Sequence, residues 1–140
     1  MVPLRKDIEP VGVSAFFPGA EAFAFVNHLR FTAMKCRAKP QAELFRACAL
    51  LQVNATADRE AHSEALMMCL SEALGQPARL LAPGAAELTF DEQWLIQLGL
   101  ACASDDDLSI SFLLRSRVAH ENQRLVRFLV SRIVDCFPLI

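Results

Sequence analysis

The chain has 140 residues, a formal net charge of -2 and 54% apolar residues. Its length fits one domain, and its apolar content excludes an intrinsically disordered protein. No apolar stretch approaches the roughly 18 uncharged residues of a membrane-spanning helix. The near-neutral charge argues against a dedicated nucleic-acid binder. Ala and Leu, with 21 and 20 copies, outnumber the 17 Val, Ile and Thr residues together, which favours helices over strands. We therefore predict an all-α fold.

Proline and glycine divide the chain into an arm and a helical domain. Residues 1–19 contain three of the seven prolines and two of the five glycines, which predicts an extended N-terminal arm. Residues 20–140 are expected to form one domain, a bundle of five or six helices. Its internal linker, residues 75–88, is marked by Gly75, Pro77, Pro83 and Gly84.

The first half of the domain predicts three helices. Residues 20–39 contain neither Gly nor Pro, and Pro40 both ends that helix and opens a second one that reaches about Val53. A third helix is expected from about Thr56 to Gly75. The buried stripe of the first helix is predicted to be Phe23, Val26, Leu29, Ala33 and Cys36. That of the third is predicted to be Ala65, Leu66, Cys69, Leu70 and Ala73.

The second half contains the strongest local signal, a capping box in which Thr89 and Glu92 satisfy each other's backbone amides. The helix that follows is expected to bury Trp94, Leu95, Leu98 and Cys102. Gly99 within it indicates the close approach of another helix. The aspartates at 105–107 predict the start of a further helix over 108–118, and a last helix is expected from about Glu121 to Phe137. The pattern leaves open whether 105–137 is one helix or two.

Charge is segregated along the chain. Residues 81–114 carry a net charge of -6 with no Lys or Arg, whereas residues 115–140 carry +3. The simplest interpretation is that acids cap helix N-termini and arginines lie on solvated or mutually paired faces. The functional interpretation is a surface for a phosphate, a carboxylate or an acidic partner, because the guanidinium group suits bidentate anion binding. In a third version, the acids of one copy meet the arginines of another. The candidate anion- or partner-binding residues are Arg115, Arg117, Arg124 and Arg127.

His120 and Glu121 form a candidate polar switch at a helix junction. The segment Arg117–Leu125 is similar to the His box of sensor kinases, in which a helical His followed by an acid accepts phosphate. The similarity covers fewer than a dozen residues and lacks the proline that usually follows the His.

The chain lacks the sequence signatures of an enzyme. It has no glycine-rich phosphate loop, no G-x-S-x-G elbow and no H-E-x-x-H pair, so we predict no catalytic residue, no metal and no cofactor. The five cysteines, at 36, 48, 69, 102 and 136, form no C-x-x-C pair. Each lies among apolar residues, as expected of thiols that fill a core in a reducing compartment.

These observations predict a non-catalytic, cytoplasmic interaction or regulatory module. A chain this apolar, with a last helix that is apolar on more than one side, has more surface to bury than a small monomer needs. We therefore expect a homodimer, with another protein as a possible partner and no membrane association. The candidate interface residues are Leu125, Phe128, Leu129 and Ile133.

Two alternatives belong to other classes of function. One is a small-molecule or anion sensor, with an apolar pocket between helices lined by arginines. The other, less favoured, is a helix-turn-helix nucleic-acid reader over residues 89–118. In that reader the aspartates at 105–107 would repel the phosphates that the turn has to approach.

Overall fold

The computed structural model describes residues 19–37 and 59–139. Every regular element within these two stretches is an α-helix, as the sequence predicts. Residues 1–18 of the predicted arm and the predicted helix from Pro40 to Val53 lie outside the described residues. The helices in chain order are α1 (Ala20–Cys36), α2 (Arg59–Leu74), α3 (Phe90–Ala103), α4 (Asp107–Arg117) and α5 (His120–Val134).

The helices pack around one apolar core. α5 lies against both α2 and α3, α1 packs on the same two helices, and α4 packs on α3 and α5. The predicted buried stripes of α2 and α3 are confirmed, since all nine of their residues are buried. The largest fully buried apolar side chains are Phe25, Leu29, Leu66, Leu70, Leu95, Ile96, Leu98, Ile110, Leu129 and Ile133.

The buried face of α1 differs from the predicted stripe. Val26 and Leu29 are buried as expected, but Phe23 is only partly buried and Phe25 takes its place in the core. The fully buried Arg30 also belongs to this face. A hydrophobicity pattern counts Arg30 as polar and assigns it to solvent, so it leaves Arg30 out of the buried stripe.

The predicted helix ends are mostly confirmed. α2 stops before Gly75, which has a φ of 74°, a backbone conformation that glycine adopts without steric cost. α3 begins with the predicted capping box of Thr89 and Glu92. α4 begins at Asp107 and is capped by Asp106, whose side chain accepts from the Ser109 amide.

The open question about residues 105–137 resolves as two helices. Val118 has extended backbone dihedrals, with φ -115° and ψ 132°, and separates α4 from α5. α5 begins at His120 and ends at Val134, before the predicted end at Phe137. His120 and Glu121 are therefore the first two residues of a helix, at the predicted junction, and both are exposed.

Gly99 lies where α3 meets two other helices, as predicted. A Cβ atom at this position would lie 3.1 Å from Val134 Cγ1 and 3.3 Å from Phe25 Cε2. Such distances are shorter than ordinary van der Waals contacts. Glycine therefore allows α1 and α5 to approach α3 closely here.

The cysteines divide between the core and the surface. Cys69 and Cys102 are buried, as expected of small apolar side chains, and burial raises the pKa of the Cys102 thiol. Cys36 is half-buried and Cys136 is exposed, so the prediction of a core position is wrong for Cys136. Cys48 lies outside the described residues.

A buried ion pair joins α1 to the start of α3. Arg30 Nε lies 2.8 Å from Glu92 Oε2, Arg30 Nη2 lies 3.0 Å from Glu92 Oε1, and both side chains are fully buried. Burial raises the pKa of the Glu92 carboxyl. The hydrogen bonds from Arg30 and from the backbone amides of Thr89 and Leu81 outweigh that effect, so the pKa is lowered overall. Glu92 is therefore a buried carboxylate that is stabilised in its charged form by hydrogen bonds from Arg30 and two backbone amides.

The same pair holds the segment between α2 and α3, residues 75–89. Arg30 donates to the carbonyls of Ala85 and Glu87 at 2.9 and 2.8 Å. Glu92 accepts from the Leu81 and Thr89 amides at 2.7 and 2.9 Å. This segment has no regular secondary structure, and these side chains satisfy backbone groups that would otherwise need water.

We expect Glu92→Gln to lower the free energy of unfolding by about 3–5 kcal/mol, because it leaves the buried Arg30 cation without a counter-ion. Urea denaturation at neutral pH measures the change. The difference between the two proteins should shrink as the pH falls below 4.5, the ordinary value for Glu, because the unfolded wild-type chain then binds a proton that the folded carboxylate, with its lowered pKa, still resists.

The matched control for this prediction is Glu87→Gln. The Glu87 side chain is exposed, and only its backbone carbonyl contacts Arg30. Its unfolding free energy should match that of the wild type. Equal stability of the Glu92→Gln variant and the wild type would contradict the assigned role of the ion pair.

Candidate interaction surface

Arg117, one of the predicted anion-binding residues, is engaged within the chain. Its Nη2 atom lies 2.7 Å from Asp91 Oδ1, and only 11% of the side chain is exposed. Its guanidinium carbon lies 5.0 and 5.3 Å from the ring centroids of Phe90 and Trp94, within the range of cation–π contacts. Arg117 therefore joins α4 to α3 and is not a free anion-binding residue.

Arg127 is also paired within the chain. Its Nη2 atom lies 2.7 Å from Asp107 Oδ1, which links α5 to the first turn of α4. Arg115 on α4 and Arg124 on α5 are exposed, and neither forms an ion pair with another residue in the part of the chain described. The four predicted arginines are therefore divided into two that hold helices together and two that face solvent.

Part of the predicted site does come together in a groove between α4 and α5. Arg124 and Arg127 share this groove with His120 and Glu121, whereas Arg115 and Arg117 do not line it. Its positive charge is reduced by the Glu121 carboxylate and by the pairing of Arg127. The α4–α5 groove is lined by Ser111, Leu114, His120, Glu121, Gln123, Arg124 and Arg127.

The predicted interface row on the last helix faces largely inward. Leu129 and Ile133 are fully buried in the core of the chain itself, so they are not interface residues. Leu125 is half-buried, while Phe128 is 43% exposed and contacts the His62 ring at a centroid distance of 5.7 Å. The prediction is wrong for Leu129 and Ile133, because α5 packs on α2 and α3 together and buries these two side chains there.

The exposed apolar surface lies instead on α4, a helix for which no contact role was predicted. Leu108 is 85% exposed and Phe112 is 66% exposed. Ile110 and Leu114 are the buried residues of the same helix. The two pairs are each spaced by four and offset by two residues, about 200° around the helix axis. This two-sided pattern was the signal present in the sequence.

Arg115 lies one turn after Phe112 and completes this outer surface of α4. We call Leu108, Phe112 and Arg115 the α4 crest. It is flanked on one side by the α4–α5 groove. On the other side lies a shallow groove against α3, lined by Gln97, Leu100, Ala101, Ser104, Asp106, Ser109, Phe112 and Leu113.

Other exposed apolar side chains are less informative. Phe90 lies beneath the Arg117 guanidinium, which accounts for its position. Phe31 and Met34 are exposed within two turns of Arg37, where the described part of the chain is interrupted. Their exposure is therefore not evidence of a contact surface. The α4 crest lies on a helix whose main packing contacts are with α3 and α5.

His28 and Ser63 form a hydrogen-bonded pair with the geometry of a base and a nucleophile. His28 Nε2 lies 2.7 Å from Ser63 Oγ. However, Ser63 is fully buried between α1 and α2, so no substrate reaches its hydroxyl. Burial, reinforced by the nearby Arg59 cation, lowers the pKa of His28. This pair is therefore a packing contact of neutral groups.

The lowered pKa of His28 predicts that the protein is less stable at mildly acidic pH. The unfolded chain, in which His28 has its ordinary pKa of 6.5, binds the proton more tightly than the folded chain. The free energy of unfolding should therefore fall as the pH decreases through 6.5. His28→Gln keeps a polar partner for Ser63 and should show a weaker pH dependence in urea denaturation at about pH 8 and about pH 5.5.

The exposed His120 provides the comparison for this measurement. His120→Gln should keep the pH dependence of the wild type, because His120 lies at the start of α5 in the α4–α5 groove, away from the His28–Ser63 pair. If His28→Gln and the wild type lose stability equally on acidification, the interpretation of His28 is wrong.

No helix within residues 19–37 and 59–139 is both long and apolar enough to cross a bilayer. In the same residues, no group of three or more His, Cys, Asp or Glu side chains is placed to hold a metal ion. No family model, curated protein or solved structure matches the chain.

Proposed function

We propose that this protein is a non-catalytic interaction module that self-associates through the α4 crest. The exposure of Leu108 and Phe112, side by side on one face of α4, is the observation that supports this function. Adjacent exposed apolar side chains of this size mark contact surfaces in proteins that are otherwise well packed. The surface differs from the one expected from sequence, because the last helix uses its apolar rows in the core.

The size of the surface favours a weak and reversible association. Burying one Leu or Phe side chain contributes about 1.5–3 kcal/mol, so two copies that cover four such side chains gain about 6–12 kcal/mol. Association itself costs about 4–15 kcal/mol in lost translational and rotational freedom. These terms nearly cancel, and a dimer of this kind responds to changes in protein concentration, which suits a regulatory role.

A cytoplasmic location is part of the same proposal. Cys69 and Cys102 occupy core positions as thiols, and Cys136 is an exposed thiol. A reducing compartment preserves these groups in the state in which the core accommodates them.

An anion sensor is the second candidate, favoured by the way His120, Arg124 and Arg127 share the α4–α5 groove. If this groove binds anions, sodium sulfate should raise the melting temperature more than sodium chloride at equal ionic strength. Sulfate also stabilises folded proteins without binding to them, so the difference should become smaller in Arg124→Ala and stay unchanged in Arg132→Ala, which alters an exposed arginine outside the groove. An equal difference in the wild type and in Arg124→Ala excludes this candidate.

The nucleic-acid alternative has less support. The helix that would read DNA, α4, presents Leu108 and Phe112 outward, and Arg115 is its one exposed cation. The exposed aspartates at 105–107 lie at its N-terminus, where they repel phosphate.

Sedimentation velocity of the full chain tests self-association. From about 10 µM to about 1 mM, the weight-average mass of the wild type should rise toward that of a dimer. Phe112→Ser should keep the mass of a monomer over the same range, because it removes the largest apolar group of the α4 crest. Its melting temperature should stay close to that of the wild type, since the ring is exposed.

Phe31→Ser is the matched control, because it removes an exposed phenylalanine from a different helix. It should associate as the wild type does. A wild-type chain that stays monomeric at every concentration overturns the proposed function.

A further inference from the structure

We infer that two copies of this chain pair through antiparallel α4 helices, with Leu108 of each copy against Phe112 of the other and Asp105 of each beside Arg115 of the other. This inference rests on the proposed self-association and specifies the geometry of the same surface. The partner is a second copy of this chain.

The spacing of residues along α4 makes the surface self-complementary. Asp105 precedes Leu108 by three residues, and Arg115 follows Phe112 by three residues. When two α4 helices lie antiparallel with Leu108 level with the partner's Phe112, the turn that carries Asp105, just before α4, lies at the end of the partner's α4 that carries Arg115. A two-fold axis repeats both contacts, as an isologous dimer interface requires.

The charges at the two ends of the α4 crest are available for such contacts. Asp106 is engaged as the helix cap, accepting from the Ser109 amide and hydroxyl at 3.2 and 2.7 Å. Asp107 pairs with Arg127. Asp105 is exposed at the turn before α4, and neither it nor Arg115 forms an ion pair with another residue of the described stretches.

The C-terminal end of α4 also has one charged side chain without an ion pair in the described stretches. Arg117 is mostly covered by Asp91 and two aromatic rings, and Arg115 is the exposed arginine there. One acid without an ion pair in the described stretches therefore lies in the turn just before α4, and one such base lies near its end. Opposite charges at the two ends favour the antiparallel arrangement over the parallel one.

A parallel pair is disfavoured for two reasons. It places Asp105 beside the partner's Asp105 and Arg115 beside the partner's Arg115, and like charges that face each other weaken an interface. It also places like ends of the two helix dipoles side by side, whereas antiparallel helices bring opposite ends together.

Charge reversal tests this geometry, because the two single variants should complement each other. Asp105→Arg alone sets two arginines against each other at both ends of the dimer, and Arg115→Asp alone sets two aspartates against each other. Each variant should dimerise at least about tenfold more weakly than the wild type in sedimentation experiments at low salt.

An equimolar mixture of Asp105→Arg and Arg115→Asp should recover dimers, since both contacts of the mixed pair then join opposite charges. The double variant D105R/R115D should recover them as well. Raising the salt concentration should reduce the differences between all these proteins.

Matched controls separate this effect from a general change of charge. Glu72→Arg and Arg132→Asp reverse exposed charges on α2 and α5, outside the α4 crest, and should dimerise as the wild type does. Asp105 has a φ of 55°, a conformation that asparagine accepts more readily than arginine. Asp105→Asn should therefore weaken dimerisation without loss of thermal stability. This variant tests the Asp105 contact in case Asp105→Arg does not fold.

The results distinguish failure of this geometry from failure of the proposed function. If the wild type dimerises and Phe112→Ser does not, but the mixed single variants remain monomeric, the antiparallel register is wrong and self-association stands. If the wild type never dimerises, both proposals fall. If Phe112→Ser lowers the melting temperature while the wild type stays monomeric, another segment of the same chain covers the α4 crest.

Discussion

The ion pair between Arg30 and Glu92 is the contact on which the arrangement of the described helices depends. It joins α1 to the start of α3. It also forms four hydrogen bonds to backbone amides and carbonyls of the irregular segment between α2 and α3. Asp91, the residue before Glu92, accepts from the Arg79 amide at 2.7 Å and pairs with Arg117. The Asp91–Arg117 ion pair thus ties α4, which carries the α4 crest, to the same first turn of α3 that holds Glu92.

Local features of the fold could be predicted from the sequence, because their causes lie within a few residues. The capping box needs only Thr89 and Glu92, and the close approach at Gly99 is indicated by a glycine in an otherwise apolar helix. The partner of Glu92 could not be predicted, since Arg30 lies 62 positions away in the chain. The same long-range contact explains why Arg30 was left out of the predicted buried face of α1.

The candidate surface shows a similar division. The segregation of acids and arginines was visible, and so was the abundance of apolar residues. Which arginine meets which acid depends on the packing of α4 against α3 and α5, so Arg117 and Arg127 were assigned to a binding surface although they hold helices together. Leu108 and Phe112 belong to a helix with apolar residues on two sides, and only the packing shows which side faces solvent.

One property of Glu92 affects how the molecule opens locally. Its carboxylate accepts hydrogen bonds from Leu81, Thr89 and Arg30, while its own amide donates to the Thr89 hydroxyl that caps α3. Fraying of the first turn of α3 therefore requires detachment of the preceding segment, because the two share a single acceptor group. We therefore expect the amide protons on both sides of this junction to exchange with solvent together, as one cooperative unit.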